Sequence, residues 1–217
     1  MSWQIFDRAA GTYEGWYETA HGKRVDHAER AILAWLLASF PAAHSVLEVG
    51  CGTGHFTRWL TGRGLTAIGM DRAPAMLAAA RRCRPDAPLV LADADALPFR
   101  SRTFDLVAFV TTLEFLGAPD QALAEAVRVA RRGVIVLALN RWSLGGLSRR
   151  YGRQRRRPLL GLARDYSIVS LRTAVARAAA DRLRQVRWSS TLFPCRSVAR
   201  APIPFGQVIA VSAHLAP

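Results

Sequence analysis

Short apolar runs alternate with helical segments over most of the chain. Runs at residues 45–49, 65–70, 89–92 and 104–110 are typical of parallel strands buried on both faces. Between residues 26 and 39, apolar positions recur at three- and four-residue spacing, which predicts a helix that ends before Pro41. A later helix is predicted to begin at Pro74, and two more are predicted to span residues 120–130 and 167–180. Later strands are predicted to span residues 133–139, 183–191 and 207–214. The alternation predicts an α/β fold, a doubly wound seven-stranded sheet that is mostly parallel, with helices on both faces and its last strand antiparallel.

The first strand runs into a glycine-rich turn with the sequence Glu48-Val49-Gly50-Cys51-Gly52-Thr53-Gly54. Glycines at alternate positions allow a sharp turn at positive φ and keep side chains away from a ligand. The spacing is not the Gly-x-Gly-x-x-Gly of dinucleotide-binding folds. Asp71 ends the second strand about 20 residues later, where a carboxylate that binds ribose belongs in a doubly wound fold.

The glycine turn, Asp71 and the segment Asp93-Ala94-Asp95-Ala96-Leu97-Pro98-Phe99 follow one another at the spacing of a known family. Residues 40–140 resemble a class I S-adenosylmethionine-dependent methyltransferase of the small-molecule type. The resemblance implies S-adenosyl-L-methionine as cofactor, with Asp71 on the ribose and Asp93 and Ala94 on the adenine. Met76 either packs by the adenine or belongs to the core. The cofactor-binding residues expected on this basis are Glu48, Gly50, Cys51, Gly52, Gly54, Asp71, Arg72, Met76, Asp93, Ala94 and Thr111.

Aromatic residues are frequent among residues 1–25, where the helical period is poor. In the resembled family this region forms an N-terminal helical cap over the cofactor, and a tyrosine near Tyr13 faces the site. The alternative is that these aromatics only pack on the sheet edge. The candidate catalytic residues are Tyr13, His21 and Glu114. His21 is otherwise a surface residue. Glu114, which follows the fourth strand, is otherwise a helix-start or surface acid.

One domain is expected over residues 1–217, and four parts are distinguished within it. They are the cap and first helix (1–40), the cofactor-binding core (41–140), a basic substrate-side insertion (141–166), and a C-terminal helix with two strands (167–217). The arginines of residues 141–157 either grip an anion, such as a phosphate, a carboxylate or a lipid headgroup, or form a solvated loop.

The formal net charge of +14 favours a polyanionic partner, but arginine-rich codon usage would give the same balance, since Lys23 is the only lysine. Cys51, Cys83 and Cys195 are too scattered for a disulfide framework or a metal cluster, so no metal is expected. The start of the sequence has no charged-then-apolar leader, and no apolar run reaches the length of a membrane span, which predicts a cytoplasmic protein.

The expected function is in-line methyl transfer to a small-molecule acceptor. The net charge supports two alternatives, an RNA methyltransferase and a peripheral-membrane enzyme that methylates a lipid headgroup. Base-amino methyltransferases generally carry Asn/Asp-Pro-Pro-Tyr/Phe after the fourth strand, whereas this chain has Thr111-Thr112-Leu113-Glu114. A non-catalytic cofactor-binding protein is a further alternative. The sequence does not specify the acceptor or the oligomeric state.

Overall fold

The computed structural model describes residues 3–84, 86–151, 160–192 and 200–216. The helices are α1 (Trp3–Glu18), α2 (Ala20–Leu37), α3 (His55–Gly62), α4 (Pro74–Cys83), α5 (Pro119–Val129), α6 (Leu144–Tyr151) and α7 (Ile168–Ala179). The strands are β1 (Ser45–Val49), β2 (Thr66–Asp71), β3 (Leu89–Leu91), β4 (Phe104–Val110), β5 (Ala130–Leu139), β6 (Leu183–Thr191), β7 (Arg200–Ala201) and β8 (Val208–Leu215). None of the described helices combines the length and apolarity that a bilayer crossing requires.

The strands form one sheet in the order β3-β2-β1-β4-β5-β8-β6-β7. The first five are parallel, and β8 runs antiparallel to both β5 and β6. The prediction of a doubly wound, mostly parallel sheet is therefore confirmed, but the predicted strand number of seven is wrong. The eighth strand is β7, whose two residues pair with Ser190 and Thr191 at the end of β6. A two-residue strand has no period of its own, so the pattern could not indicate it.

Alternate residues of each central strand enter separate cores on the two faces of the sheet. In β1, Leu47 and Val49 pack with α5 and α7, whereas Val46 packs with α2 and α3. All seven residues of β4 are buried, as expected for a strand in the middle of a parallel sheet. The order β1-β4 at the centre also creates the crevice at the carboxyl edge where ligands of such sheets bind.

The first 40 residues are more helical than their pattern indicates. α1 is continuous over 16 residues, and α2 begins at Ala20, six residues before the predicted helix. Thr19 caps α2 because its side chain accepts a hydrogen bond from the Gly22 N–H. The aromatic residues of α1 contact several separate elements, so they do not form the single apolar stripe by which an amphipathic helix is recognised.

The predicted basic insertion contains a short helix, α6, within its described residues. Residues 152–159, with four of its arginines, lie outside the described parts of the chain, as does Cys195.

Candidate active site

The glycine turn after β1 forms the floor of a cavity at the carboxyl edge of the sheet. Gly50, Gly52 and Gly54 all have positive φ, between 54° and 74°. A Cβ on Gly50 would lie 2.1 Å from the Thr112 methyl, so this position requires glycine. A Cβ on Gly52 would meet nothing closer than the Met76 sulfur at 3.9 Å, which leaves open space beside the backbone.

The cavity has a volume of about 380 Å³, which suits a ligand of nucleoside size. Its lining includes ten of the eleven predicted cofactor residues and one of the three catalytic candidates. The ten are Glu48, Gly50, Cys51, Gly52, Asp71, Arg72, Met76, Asp93, Ala94 and Thr111. A wider cleft of about 650 Å³ at the opposite edge of the sheet contains none of them.

Asp71 is fixed by two backbone hydrogen bonds. The Gly52 N–H donates to Oδ2 and the Ala73 N–H to Oδ1, both at 2.8 Å. Burial nevertheless raises the pKa of Asp71, and the two hydrogen bonds oppose that rise. Each carboxylate oxygen retains a lone pair, so Asp71 can accept further bonds from a pair of hydroxyls in the cavity.

Glu48 is a second acid in the cavity wall and is 2% exposed. Its carboxyl accepts a hydrogen bond from the Thr57 hydroxyl. Burial raises the pKa of Glu48 to about 8, because a charged carboxylate loses its hydration there. Burial also raises the pKa of the Cys51 thiol well above its usual value, so Cys51 lines the cavity as a protonated small side chain.

Two further acids follow β3. Asp93 forms an ion pair with Arg72 at 2.6 Å, and both side chains are partly exposed. The Arg72 guanidinium also lies over the Trp3 ring, 5.7 Å from its centre. Asp95 also lines the cavity, and burial raises its pKa.

Aromatic side chains of α1 form the roof of the cavity. Trp3, Phe6, Tyr13 and Tyr17 all line it. Phe6 contacts Phe115 from the loop after β4, edge to face at 4.9 Å. Of the two sequence-based interpretations of these aromatics, a cap over the cavity is the one that the model shows.

Polar contacts attach α1 to the elements around the glycine turn. Asp7 accepts the Ala75 N–H in the first turn of α4 at 2.7 Å, and Glu14 accepts from Arg58 of α3 at 2.9 Å. Burial favours the neutral form of Glu14, but hydrogen bonds from His55 and Arg58 outweigh it and lower the pKa to about 2. The cap is therefore held by a charged pair at neutral pH.

His55, the first residue of α3, joins all three helices around the turn. Its ring stacks on Tyr17 of α1 at 3.6 Å, and its Nε2 lies 2.7 Å from the Asp26 carboxylate of α2. Arg30 of α2 lies within 2.8 Å of the same nitrogen. His55 was not among the residues that the sequence predicted for this site.

The three catalytic candidates have different environments. Tyr13 lines the cavity, and burial raises its pKa to about 12, with the Glu29 charge as the next cause. Glu114 is buried outside the lining, where its Oε1 accepts the Leu139 N–H at 2.9 Å. His21 is exposed at the start of α2 with its ring near Trp16, and it does not line the cavity. Of the three candidates, only Tyr13 therefore lines the cavity.

Gly54 also lies outside the lining, where it is the N-cap residue of α3. Its positive φ of 74° allows the chain to turn into the helix.

Thr111 is in the lining and has a φ of 48°, a left-handed conformation that is uncommon for a β-branched residue. Such strain persists only where the surrounding structure imposes it, and it is frequent at ligand sites.

Glu29 of α2 is a buried acid that the sequence pattern did not indicate. It is 4% exposed, and burial, followed by the charges of Glu114 and Asp26, raises its pKa to about 8. Its charge also acts on Tyr13 and Tyr17. The only signal in the sequence is a glutamate beside the apolar positions of an amphipathic helix, which is too common to interpret.

Comparison with known proteins agrees with this geometry. Residues 47–138 match the family model described as a methyltransferase domain. A demethylmenaquinone methyltransferase from Renibacterium salmoninarum is 38% identical over 88 residues, which are 41% of this chain and 37% of the relative. A malonyl-[acyl-carrier protein] O-methyltransferase from Serratia marcescens is 33% identical over 132 residues, 61% of this chain and 49% of the relative. The chain thus spans half or less of the length of these curated relatives.

A crystal structure of an S-adenosylmethionine-dependent methyltransferase from Thermotoga maritima, described as a possible histamine N-methyltransferase, has the same fold. The TM-score is 0.76 at 23% identity, and the match covers 98% of this chain and 99% of the other. Residues 47–138 are thus a methyltransferase domain, and the resemblance to class I S-adenosylmethionine-dependent methyltransferases is confirmed. The family match supports the predictions of an enzyme of this class and of S-adenosylmethionine as its cofactor.

The cavity residues fit that cofactor. The open space at Gly52 allows a ligand to approach the backbone closely, and the Asp71 oxygens suit ribose hydroxyls. Met76 and the aromatic rings of α1 offer flat apolar contacts for a purine.

Proposed function

We propose that this chain transfers a methyl group from S-adenosylmethionine to a small-molecule acceptor. The observation that carries the proposal is the roofed cavity. The glycine turn, Asp71 and the α1 aromatics together enclose about 380 Å³. A cavity closed by a helix of the same chain suits a small acceptor better than a base within a polynucleotide.

In this reaction the residues of the chain bind the cofactor and the acceptor and align them with each other. When bound, S-adenosylmethionine supplies a sulfonium methyl group that a nucleophile displaces in line. Asp71 binds the ribose, Asp93 and the Ala94 N–H bind the adenine, and Glu48 lies in the cavity wall beside the glycine turn. The ion pair with Arg72 limits how Asp93 can bind the adenine, because one of its oxygens is already engaged.

Phe6 of the roof contacts both Tyr13 of the roof and Phe115 of the loop after β4, and these three residues line the side of the cavity where we expect the acceptor. The raised pKa of Tyr13 keeps its hydroxyl neutral at physiological pH. Tyr13 therefore orients the acceptor by a hydrogen bond and does not act as a phenolate base. Alignment of this kind is the main source of rate enhancement in a displacement that needs no protein nucleophile.

The first test is binding of the demethylated cofactor, S-adenosylhomocysteine, measured by titration calorimetry. Asp71→Ala should weaken binding at least about tenfold, since two hydroxyls lose a charged acceptor. Asp86→Ala, a change of the same type at an exposed position, should leave the affinity unchanged. Equal affinity of wild type and Asp71→Ala would contradict the ribose role.

The second test is turnover, followed as release of the demethylated cofactor with a panel of amines, hydroxy compounds and carboxylic acids. Turnover with one of these compounds supports the small-molecule proposal. Binding of the cofactor without turnover on any substrate class, RNA included, would favour the non-catalytic alternative.

The net charge of +14 supports RNA as an alternative acceptor. The acceptors named for the two curated relatives, demethylmenaquinone and malonyl-[acyl-carrier protein], are not nucleic acids. RNA would have to displace α1 to reach the floor of the cavity. Salt-sensitive RNA binding together with methylation of RNA would favour this alternative.

A further inference from the structure

Helix α6 presents apolar side chains to solvent. Leu144, Leu147 and Tyr151 are 64%, 44% and 76% exposed, and Trp142, just before the helix, is 57% exposed. The three helical residues are spaced i, i+3 and i+7, so they lie on one face at about 100° per residue. These four residues make up the α6 apolar surface. Exposed apolar side chains grouped in this way mark an interaction site more often than singly scattered ones do.

The opposite side of α6 holds the helix against the protein. Gly146 is buried, and a Cβ there would lie 2.3 Å from the Asn140 carbonyl oxygen. The Ser143 hydroxyl accepts the Gly146 N–H at 2.9 Å and donates to the Asn140 oxygen at 2.8 Å. Since Gly146 faces the body of the protein, Leu144 and Leu147 are directed outward by the geometry of the helix.

The α6 apolar surface lies at the same edge of the sheet as the cavity. α6 follows the carboxyl end of β5, where Leu139 donates its N–H to Glu114. Glu114 precedes Phe115, which lines the cavity. The Asn140 side chain donates to the carbonyl oxygens of Pro204 and Gly206, and between them Phe205 is 61% exposed.

The sequence that contains the α6 apolar surface is basic. Residues 141–164 contain eight arginines and no acidic residue. The Arg141 guanidinium lies over the Trp142 ring at 5.6 Å, and Arg164 is exposed. Apolar side chains flanked by arginines, with a tryptophan at the boundary, are typical of helices that lie in the interface of an anionic bilayer.

We propose that the α6 apolar surface docks on an anionic lipid bilayer. Leucine and tyrosine side chains enter the boundary of the acyl chains, and Arg141, which lies over the Trp142 ring, contacts the headgroups. Docking brings the cavity edge to the membrane, so the acceptor is an amphiphile held there. This last step rests on the proposed methyl transfer, whereas docking itself does not.

The test is co-sedimentation of the full chain with vesicles of phosphatidylcholine alone and of phosphatidylcholine mixed with phosphatidylglycerol. Wild type should bind the anionic vesicles, bind the zwitterionic ones much more weakly, and lose affinity as salt is raised. Leu144→Ser combined with Leu147→Ser should lower the partition coefficient at least about tenfold, because two leucines no longer leave water. Leu91→Ser is the matched control, since Leu91 is 59% exposed on β3, separated from β5 by three strands.

Calorimetry with S-adenosylhomocysteine and thermal unfolding show whether each variant is folded. The same calorimetry distinguishes failure of docking from failure of the methyltransferase proposal, because it uses no vesicles. Three results would overturn docking: no binding of wild type to anionic vesicles, equal binding by the double variant, or an equal effect of Leu91→Ser. Binding of RNA that the double variant loses, with no vesicle binding, would reassign the surface to nucleic acid. A wild-type dimer dispersed by the same variant, again without vesicle binding, would reassign it to self-association.

Discussion

The buried carboxyl of Glu29 should make the unfolding free energy fall as pH rises, and Glu29→Gln should remove the part of that dependence that Glu29 contributes. Burial raises the pKa of Glu29 from 4.5 to about 8 in the folded chain. Below pH 4.5 the carboxyl is neutral in both the folded and the unfolded chain, so its ionisation does not change the free energy of unfolding. Above that pH the unfolded chain releases the proton while the folded chain keeps it, so ionisation favours unfolding until pH 8 is passed.

The size of the effect follows from the pKa difference. Each pKa unit corresponds to about 1.4 kcal/mol. The free energy of unfolding of wild type therefore falls by about 3 kcal/mol by pH 7 and by about 5 kcal/mol above pH 8. Glutamine is neutral at every pH and has nearly the same volume. Glu29→Gln should therefore match wild type near pH 4 and be more stable by about 3 kcal/mol at pH 7.

The assay is urea denaturation of both proteins at several pH values between 4 and 9. Glu18→Gln, at an exposed position, is the control and should follow wild type throughout. The same pH slope in wild type and Glu29→Gln would refute the reasoning. Glu29 lowers the stability of the fold, and its charge acts on Tyr13 and Tyr17 of the cavity wall. Destabilising residues of this kind are retained at binding sites where function depends on them.

Three further outcomes are expected. Gly50→Ala should destabilise the fold by about 2 kcal/mol or more in urea denaturation, since its Cβ would meet Thr112 at a positive φ; unchanged stability would contradict the turn geometry. Tyr13→Phe should lower kcat about tenfold without changing the affinity for S-adenosylhomocysteine, whereas His21→Ala should change neither; equal kinetics in both variants would remove Tyr13 from the acceptor side. Glu14→Gln should speed hydrogen exchange of the α1 amides at neutral pH by weakening the contact with α3, and unchanged exchange would show that the aromatic contacts alone hold the cap.

Local sequence was sufficient to predict the elements whose own residues show a clear apolar pattern. β4 was predicted with the bounds that the model has, because all its residues face packed elements and none is polar except Asp105. The bounds of β6 also agree. Most of the predicted cofactor residues lie in the cavity wall, because a sharp turn at positive φ demands glycine and Asp71 ends the neighbouring strand.

The side of the cavity that α1 closes was harder to predict because its residues come from distant parts of the chain. His21 and Glu114 have suitable chemistry, but the model directs one to solvent and the other to the Leu139 backbone. His55 and Glu29 lack a local pattern, yet contacts among α1, α2 and α3 bring them next to Tyr17 and Tyr13. The direction of a side chain depends on how helices pack, which residue type does not encode.

The sequence by itself determined the parallel core, the glycine turn and the acids beside it, since each follows from backbone sterics or from the burial of short apolar runs. Only the tertiary structure decided that α1 closes the cavity, that Glu29 loses its hydration, and that α6 turns its leucines outward. Those features depend on which surfaces remain uncovered after the helices have packed, and that is a property of the whole chain.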